Sequence, residues 1–293
     1  MDSDPRLKSL NQVLKWSVKE STKDGAEVRK VDPKVVEENK HLLDELFKDE
    51  YGGIEALRKL AADESADVGD RAEALEALEE YAQDLNFAVN FGKVGVLRTA
   101  VDVFRGSEDS RLRANAVWLL GTSMQDVQSV KDELVEMGVI PVLKEALEDE
   151  NSGKVRAKGV MASSALLRNS PQYEERFTAA GGLNAIGMRL LDTEQQPRER
   201  AMFFLEHSRK NKCDYFASYV SSDKSLTENL LDRVASDQDE AAAAAIAEAV
   251  EPSATTQELF QAKLECLKEI AKSSKEPEFK RALLKIIVKI PNA

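Results

Sequence analysis

The sequence predicts an all-α chain wound into a right-handed α-solenoid, and three observations carry that reading. An Arg-Ala phrase recurs at Arg71-Ala72, Arg113-Ala114, Arg156-Ala157 and Arg200-Ala201, in steps of 42, 43 and 44 residues. A second phrase alternates with it at Gly53-Ile54-Glu55-Ala56-Leu57, Val94-Gly95-Val96-Leu97, Gly138-Val139-Ile140-Pro141-Val142-Leu143 and Gly182-Leu183-Asn184-Ala185-Ile186. Its residues Leu57, Leu97, Leu143 and Ile186 follow one another at 40, 46 and 43 residues. Finally, residues 154–169 place Ala157, Val160, Met161, Ser164, Ala165 and Arg168 at the i, i+3, i+4, i+7 spacing of a helix with one packed face. The period lies in the range of armadillo and HEAT-like repeats, roughly 40–47 residues. A unit this short buries its apolar face only by stacking on the next copy. Weaker copies at Glu240-Ala241 and Arg281-Ala282 continue the series.

Whole-chain properties agree. With 293 residues, 42% hydrophobic and 32% charged, a globule would tend to split into two domains, whereas a solenoid grows lengthwise as one. A formal charge of −12 argues against nucleic acid or an anionic membrane as the main partner, since both require a cationic face. Cys213 and Cys266 show no metal-type spacing and read as buried thiols of a reducing compartment. No run is long and apolar enough for a membrane span, and Met1-Asp2-Ser3-Asp4 lacks the pattern of a signal peptide. The compartment expected is the cytoplasm, with the nucleus open as a second location.

In chain order, residues 1–31 stand apart as a tail with a short amphipathic segment around Leu10, Val13, Leu14 and Trp16. It reads either as a cap on the first repeat or as a mobile segment that docks on a partner. Asp32-Pro33 supplies an N-cap and a first-turn proline, so the repeat domain is expected over 32–293, with its most regular copies at about 50–210 and divergent ones at 211–293. The first Arg-Ala helix is expected to run through Leu75, Leu78 and Tyr81 toward Leu85-Asn86-Phe87-Ala88-Val89-Asn90-Phe91. Ser107-Glu108-Asp109-Ser110 caps the next, which carries Trp118 as a core residue. Asn151-Ser152-Gly153 forms the loop before the third, and Gly159 is placed where inner helices approach closely. Farther on, Leu226, Leu230, Leu231 and Val234 share one side, the alanine-rich helix 241–248 must pack closely or be weakly held, and the last helix has the mixed character of a terminal cap.

Catalytic motifs are absent. There is no phosphate loop, no Gly-x-Gly-x-x-Gly and no His-Glu-x-x-His, and the two histidines, His41 and His207, are 166 residues apart. No enzyme, no metal site and no cofactor are expected. Glu79-Glu80 and Glu174-Glu175 read as solvated helix faces, since adjacent helical residues do not face each other. Asn86 and Asn90, Gln125 and Asp126, Arg168 and Asn169, and Arg200 recur at the ends of inner helices. Stacking would set them in a row along one concave strip, where they either hold a protein surface or serve as solubilising helix ends. Arginine favours recognition because its fork pairs bidentately with carboxylates.

Leu14-Lys15-Trp16-Ser17, Asn86-Phe87-Ala88-Val89-Asn90, Leu120-Gly121-Thr122-Ser123-Met124-Gln125-Asp126, Val155-Arg156-Ala157-Lys158, Ala165-Leu166-Leu167-Arg168-Asn169 and Arg200-Ala201 occur in an order that resembles the armadillo-type nucleotide-exchange factors of heat shock protein 70 (DnaK-type) chaperones, cytosolic branch. The resemblance is collinear over residues 10 to about 205. It departs from the family at Phe87, where an acidic-Asn-Ala phrase is usual, and beyond residue 210.

The resemblance implies a monomeric co-chaperone whose concave face clasps lobe II of the chaperone's ATPase domain, displaces lobe I and releases ADP. It also implies that Ala88, Asn90, Gly121, Thr122, Gln125, Arg168, Asn169 and Arg200 are partner contacts, and that the segment holding Leu14 and Trp16 competes for the chaperone's substrate site. The alternative is an armadillo adaptor for another protein or peptide. Such an adaptor would carry a ladder of Trp and Asn, whereas only Trp16 and Trp118 are present.

Overall fold

A computed structural model describes residues 51–211 and 214–290. The expectations for the tail, Leu14, Trp16, the Asp32-Pro33 helix start and Cys213 lie outside these residues. The chain divides into two units, Met1–Gly52 and Gly53–Ala293. The second carries the repeats, and its described residues contain no strand.

Three-helix units recur along it. Helix α1 ends at residue 62 and is followed by α2 (Val68–Ala82), α3 (Leu85–Ala88), α4 (Val96–Gly106), α5 (Ser110–Met124), α6 (Gln128–Glu136), α7 (Val139–Leu147) and α8 (Gly153–Leu167). The series goes on with α9 (Pro171–Ala179), α10 (Gly182–Arg189), α11 (Gln195–His207), α12 (Asp214–Ser222) and α13 (Lys224–Asp232), the last running into a π-helical turn, Arg233–Asp237. Helices α14 (Glu240–Ala249), α15 (Gln257–Ser273) and α16 (Pro277–Val288) complete it. Helices α2, α5, α8, α11, α14 and α16, the last of each unit, pack each on the next as an inner ladder.

The Arg-Ala phrase has a structural cause. Asp67, Asp109, Ser152 and Glu194 are the N-caps of α2, α5, α8 and α11, and the fourth residue after each is Arg71, Arg113, Arg156 and Arg198. Each arginine reaches back to a carbonyl at or just past the end of the preceding helix: Ala61 at 3.1 Å, Phe104 at 3.1 Å, Asp149 at 2.8 Å and Asp192 at 2.7 Å. Unpaired carbonyls and the negative end of the helix dipole both favour a cation there. This corrects the fourth copy read from sequence, because Arg198, not Arg200, takes the place of Arg156. Carboxylates join the staples to the following repeat, Asp149 to Arg113 Nε at 3.2 Å and Asp192 to Arg156 Nε at 2.7 Å.

The glycine phrase is corrected in the same way. Gly95, Gly138 and Gly181 are the N-caps of α4, α7 and α10 with φ of 78°, 80° and 81°, a conformation that costs a Cβ-bearing residue. The residue in register is therefore Gly181 and not Gly182. The chain turns this corner at a constant 43-residue step.

Packing revises other expectations. Of the predicted stripe Ala157 and Val160 are buried, whereas Met161, Ser164 and Ala165 of α8 and its C-cap Arg168 are half-buried, and the rest of the core is formed by Val155, Gly159, Ala162, Ser163, Leu166 and Leu167. A helix flanked by inner helices and covered by outer ones is apolar nearly all round, so periodicity alone did not single out its core face. Gly159 is crowded against the outer helix, since a Cβ there would lie 3.0 Å from Leu147 N and 3.1 Å from Ala146 C. The close approach of inner helices occurs at Gly121, where a Cβ would meet Ala162 Cα and Cβ at 3.0 Å. Helix α2 ends at Ala82, and Asp84 caps the short α3 through the Asn86 amide. The alanines of α14 pack closely, with Ala242, Ala243, Ala245 and Ala249 fully buried. Leu226, Leu230, Leu231 and Val234 are all buried on one side, while the terminal helix α16 exposes Leu284 and Val288. Cys266 is exposed rather than core filler.

Glu79 and Glu174 are not solvated. They are 4% and 2% exposed, respectively, while their neighbours Glu80 and Glu175 face water. Glu79 accepts the Thr122 hydroxyl at 2.7 Å. Glu174 Oε1 has no hydrogen-bond partner, and burial, followed by the charge of Asp214, pushes its carboxyl up to about 7.

Candidate partner-binding site

Counting from the N-caps shows which side chains the inner ladder aligns. The sixth residues of α5, α8 and α11 are Asn115, Lys158 and Arg200, and the ninth are Trp118, Met161 and Phe203. The sixteenth positions from the caps of α5 and α8 are Gln125 and Arg168, which are the C-caps of those two helices. Asp126 and Asn169 follow them with φ of 59° and 54°. Short polar side chains tolerate that left-handed turn better than most, and it ends the helix with the preceding side chain free of the last turn.

These rows enclose a hollow of about 150 Å³ lined by Trp118, Gly121, Thr122, Gln125, Lys158 and Met161, together with Arg168, Arg200 and Phe203. A second depression, on the α2 side, shares Trp118, Thr122, Gln125 and Met161 with it. Five predicted contacts, Gly121, Thr122, Gln125, Arg168 and Arg200, thus meet in one place. Ala88, Asn90 and Asn169 are not among its lining residues. The Ala88 side chain is fully buried, which corrects the expectation that it faces a partner. Asn90 donates to Asn86 O at 3.0 Å and accepts from Lys93 at 3.2 Å, so it completes a local turn. Asn169 is exposed, and its amide donates to Asn211 O at 3.1 Å.

The hollow is cationic on a chain that is acidic. Among the described residues the Arg200 guanidinium makes no hydrogen bond or ion pair, and Arg168 Nε is buried without a partner. Arg168 is held through its backbone, whose carbonyl accepts from the buried Lys131 Nζ of α6 at 2.7 Å; the same Nζ donates to Ser170 Oγ at 2.9 Å. Lys158 Nζ lies 3.2 Å from the Trp118 ring centroid, a cation–π contact. Burial pushes this lysine down to about 8, against the pull of Glu79. Trp118 is therefore groove wall rather than core. Sequence reasoning missed Lys158 and Phe203 because the Arg-Ala alignment put Arg200 opposite Arg156, and Met161 because it was assigned to the packed face of its helix. Counted from the caps, Arg200 aligns with Lys158. Among the described residues no group of three or more His, Cys, Asp or Glu is arranged to hold a metal, and no helix is long and apolar enough to cross a membrane.

An inner ladder with unpaired guanidinium groups and exposed aromatic surface defines an armadillo-type binding scaffold. Two designed armadillo repeat proteins share the fold: one, solved with the peptide (KR)4, has a TM-score of 0.62 at 17% identity over 81% of this chain and 99% of that one. The other, designed for modular peptide recognition, has a TM-score of 0.58 at 18% identity over 81% and 99%. Two family models match consecutively, "Nucleotide exchange factor Fes1" over residues 10–91 and "SIL1/FES1/HPBP1 C-terminal domain" over residues 87–230. The chain belongs to this Fes1/SIL1/HPBP1 family.

Similar proteins include the "Hsp70 nucleotide exchange factor FES1" of Gibberella zeae, 27% identical over 57% of this chain and 79% of that one. The human "Hsp70-binding protein 1" is 23% identical over 50% of this chain and 41% of its own length. The "Nucleotide exchange factor SIL1" of Xenopus laevis is 28% identical over 42% and 26%.

Proposed function

We propose that the chain is a non-catalytic co-chaperone, a nucleotide-exchange factor that binds the ATPase domain of a cytosolic heat shock protein 70 and promotes ADP release through the cationic hollow of its inner ladder. The observation that carries the reading is the run of the two family models across residues 10–230, which includes every residue of the hollow. Exchange needs no active site. A protein that binds the open arrangement of the ATPase lobes better than the closed one lowers ADP affinity by the same coupling free energy with which ADP weakens the protein. Arg168 and Arg200 suit this role because neither guanidinium has an acceptor among the described residues, so a partner carboxylate gains them without breaking a pair seen there.

The test is the release of fluorescent ADP from the chaperone with wild-type chain and with Arg168→Glu combined with Arg200→Glu. Accelerated release should be abolished, because like charges placed together at an interface cost several kcal/mol, while the circular-dichroism spectrum and melting curve stay near wild type. Wild-type exchange by the double variant would remove the hollow from the interface.

A further inference from the structure

Lys158 is a cation without an ionic partner: it makes neither an ion pair nor a hydrogen bond among the described residues, and its Nζ rests 3.2 Å from the centroid of the Trp118 ring. The charged groups that act on it are Glu79 and Glu76 of α2, Arg200 of α11 and Lys154 of its own helix, while α5 faces it with Trp118. Lys158 and Arg200 occupy equivalent rungs, with Arg168 at the end of α8, so three cations line one hollow.

Their surroundings are acidic. Glu73, Glu76, Glu79 and Glu80 lie along α2, and in the depression between α11, α14 and α16 the carboxylates Glu206, Glu240, Glu248 and Glu278 outnumber the cations Lys285 and Arg281, which pair with Glu248 and Glu278. An extended polyanion would be repelled on both sides. What fits is a single carboxylate projecting from an otherwise neutral or basic surface, with its apolar stem against Trp118, Met161 and Phe203.

We propose that Lys158 is the carboxylate receptor of this hollow: an Asp or Glu side chain of the bound ATPase domain displaces nothing, takes the free face of the Lys158 ammonium above Trp118, and is flanked by Arg168 and Arg200. The assignment rests on the exchange-factor reading and adds to it a proton linkage. In the free chain burial holds the ammonium near 8, and a carboxylate at contact distance raises it. A group whose pKa rises on binding contributes fully below its free value and loses that contribution as pH climbs from the free value through the bound one. Affinity should therefore fall about tenfold from pH 7 to pH 9, with about half a proton taken up per complex at pH 8.

The test is calorimetric titration of the isolated ATPase domain of a cytosolic heat shock protein 70, without nucleotide, into the full chain at pH 7, 8 and 9 in buffers of differing ionisation heat. Lys158→Arg keeps the cation but does not titrate in this range, so it should bind with little pH dependence and take up about half a proton less than wild type at pH 8. Titration of the ATPase domain itself cancels in that difference. Lys158→Met keeps the stem on Trp118 and should bind about tenfold or more weakly at pH 7. Equal proton uptake by wild type and Lys158→Arg, or wild-type affinity for Lys158→Met at pH 7, overturns the assignment while leaving the exchange-factor reading intact. Absence of binding by wild type at every pH overturns that reading, and this proposal with it. If Lys158→Met melts early, the comparison of wild type with Lys158→Arg decides alone.

Discussion

Replacing Glu174 by glutamine should make the protein more stable, and only above mildly acidic pH. Glu174 belongs to α9, is 2% exposed and has Oε1 without a hydrogen-bond partner. Burial, and after it the charge of Asp214, lifts its carboxyl from 4.5 to about 7. The folded value lies above the unfolded one, so the fold prefers the protonated acid. Below pH 4.5 both states are protonated and no penalty exists. The penalty grows up to the folded value and is constant beyond it.

A difference of this size corresponds to about 3 kcal/mol at full strength, and about 2–3 kcal/mol is the range to test. Glutamine copies the shape of the neutral acid and removes the pH-dependent cost. The assay is urea and thermal unfolding of wild type and Glu174→Gln at pH 8 and pH 4.5. The variant should gain about 2–3 kcal/mol at pH 8, roughly 5 °C or more in melting temperature for a chain of this size, and little at pH 4.5. No gain at pH 8, or the same gain at both pH values, refutes the reasoning.

The packing sets further outcomes. Gly159→Ala should cost about 1–2 kcal/mol and Gly159→Leu more than about 3, since the new atoms meet the backbone of Leu147 and Ala146; the exposed Glu175→Ala, compared by chemical denaturation, should change almost nothing. Arg156→Met should cost about 3 kcal/mol, the lower end for breaking a buried pair. Asp192 then keeps only Arg189 at 3.1 Å and the Glu194 amide at 3.0 Å. Burial pushes the Asp192 carboxyl up, but the hydrogen bonds from Arg156 and the Glu194 amide, with the charges of Arg156 and Arg189, hold it below its usual range. The loss should accordingly be largest above the ordinary carboxylate pKa and shrink as pH falls through the folded one, read as the pH dependence of the urea midpoint. Lys131→Met unties the end of α8 from α6 and should cost about 2 kcal/mol. It should also slow ADP release less than charge reversal of Arg168 does, because it displaces that guanidinium without inverting it.

Whatever repeats was legible in the chain before any folding was considered. The period came from Arg71, Arg113 and Arg156, and it could be read because each solves the same local problem, the open carbonyls of the helix before it. The polar residues Gln125 and Arg168 were legible for a related reason, since helix C-caps break the apolar pattern at a fixed place in each unit. Which side of each inner helix meets a partner and which meets a neighbour was set only by stacking.

Arg200 and Arg198 differ by two residues, yet one is exposed in the hollow and the other staples α10 to α11. Glu174 and Glu175 are adjacent and have the same chemistry, but only one is buried. A two-residue step rotates a helical side chain by more than a right angle, and helices covered on several sides carry no amphipathic contrast from which that rotation could be read. Lys158 became a groove cation only when stacking brought Trp118 of one repeat beneath it. That contact joins residues 40 positions apart in the chain, and local sequence carries no record of it.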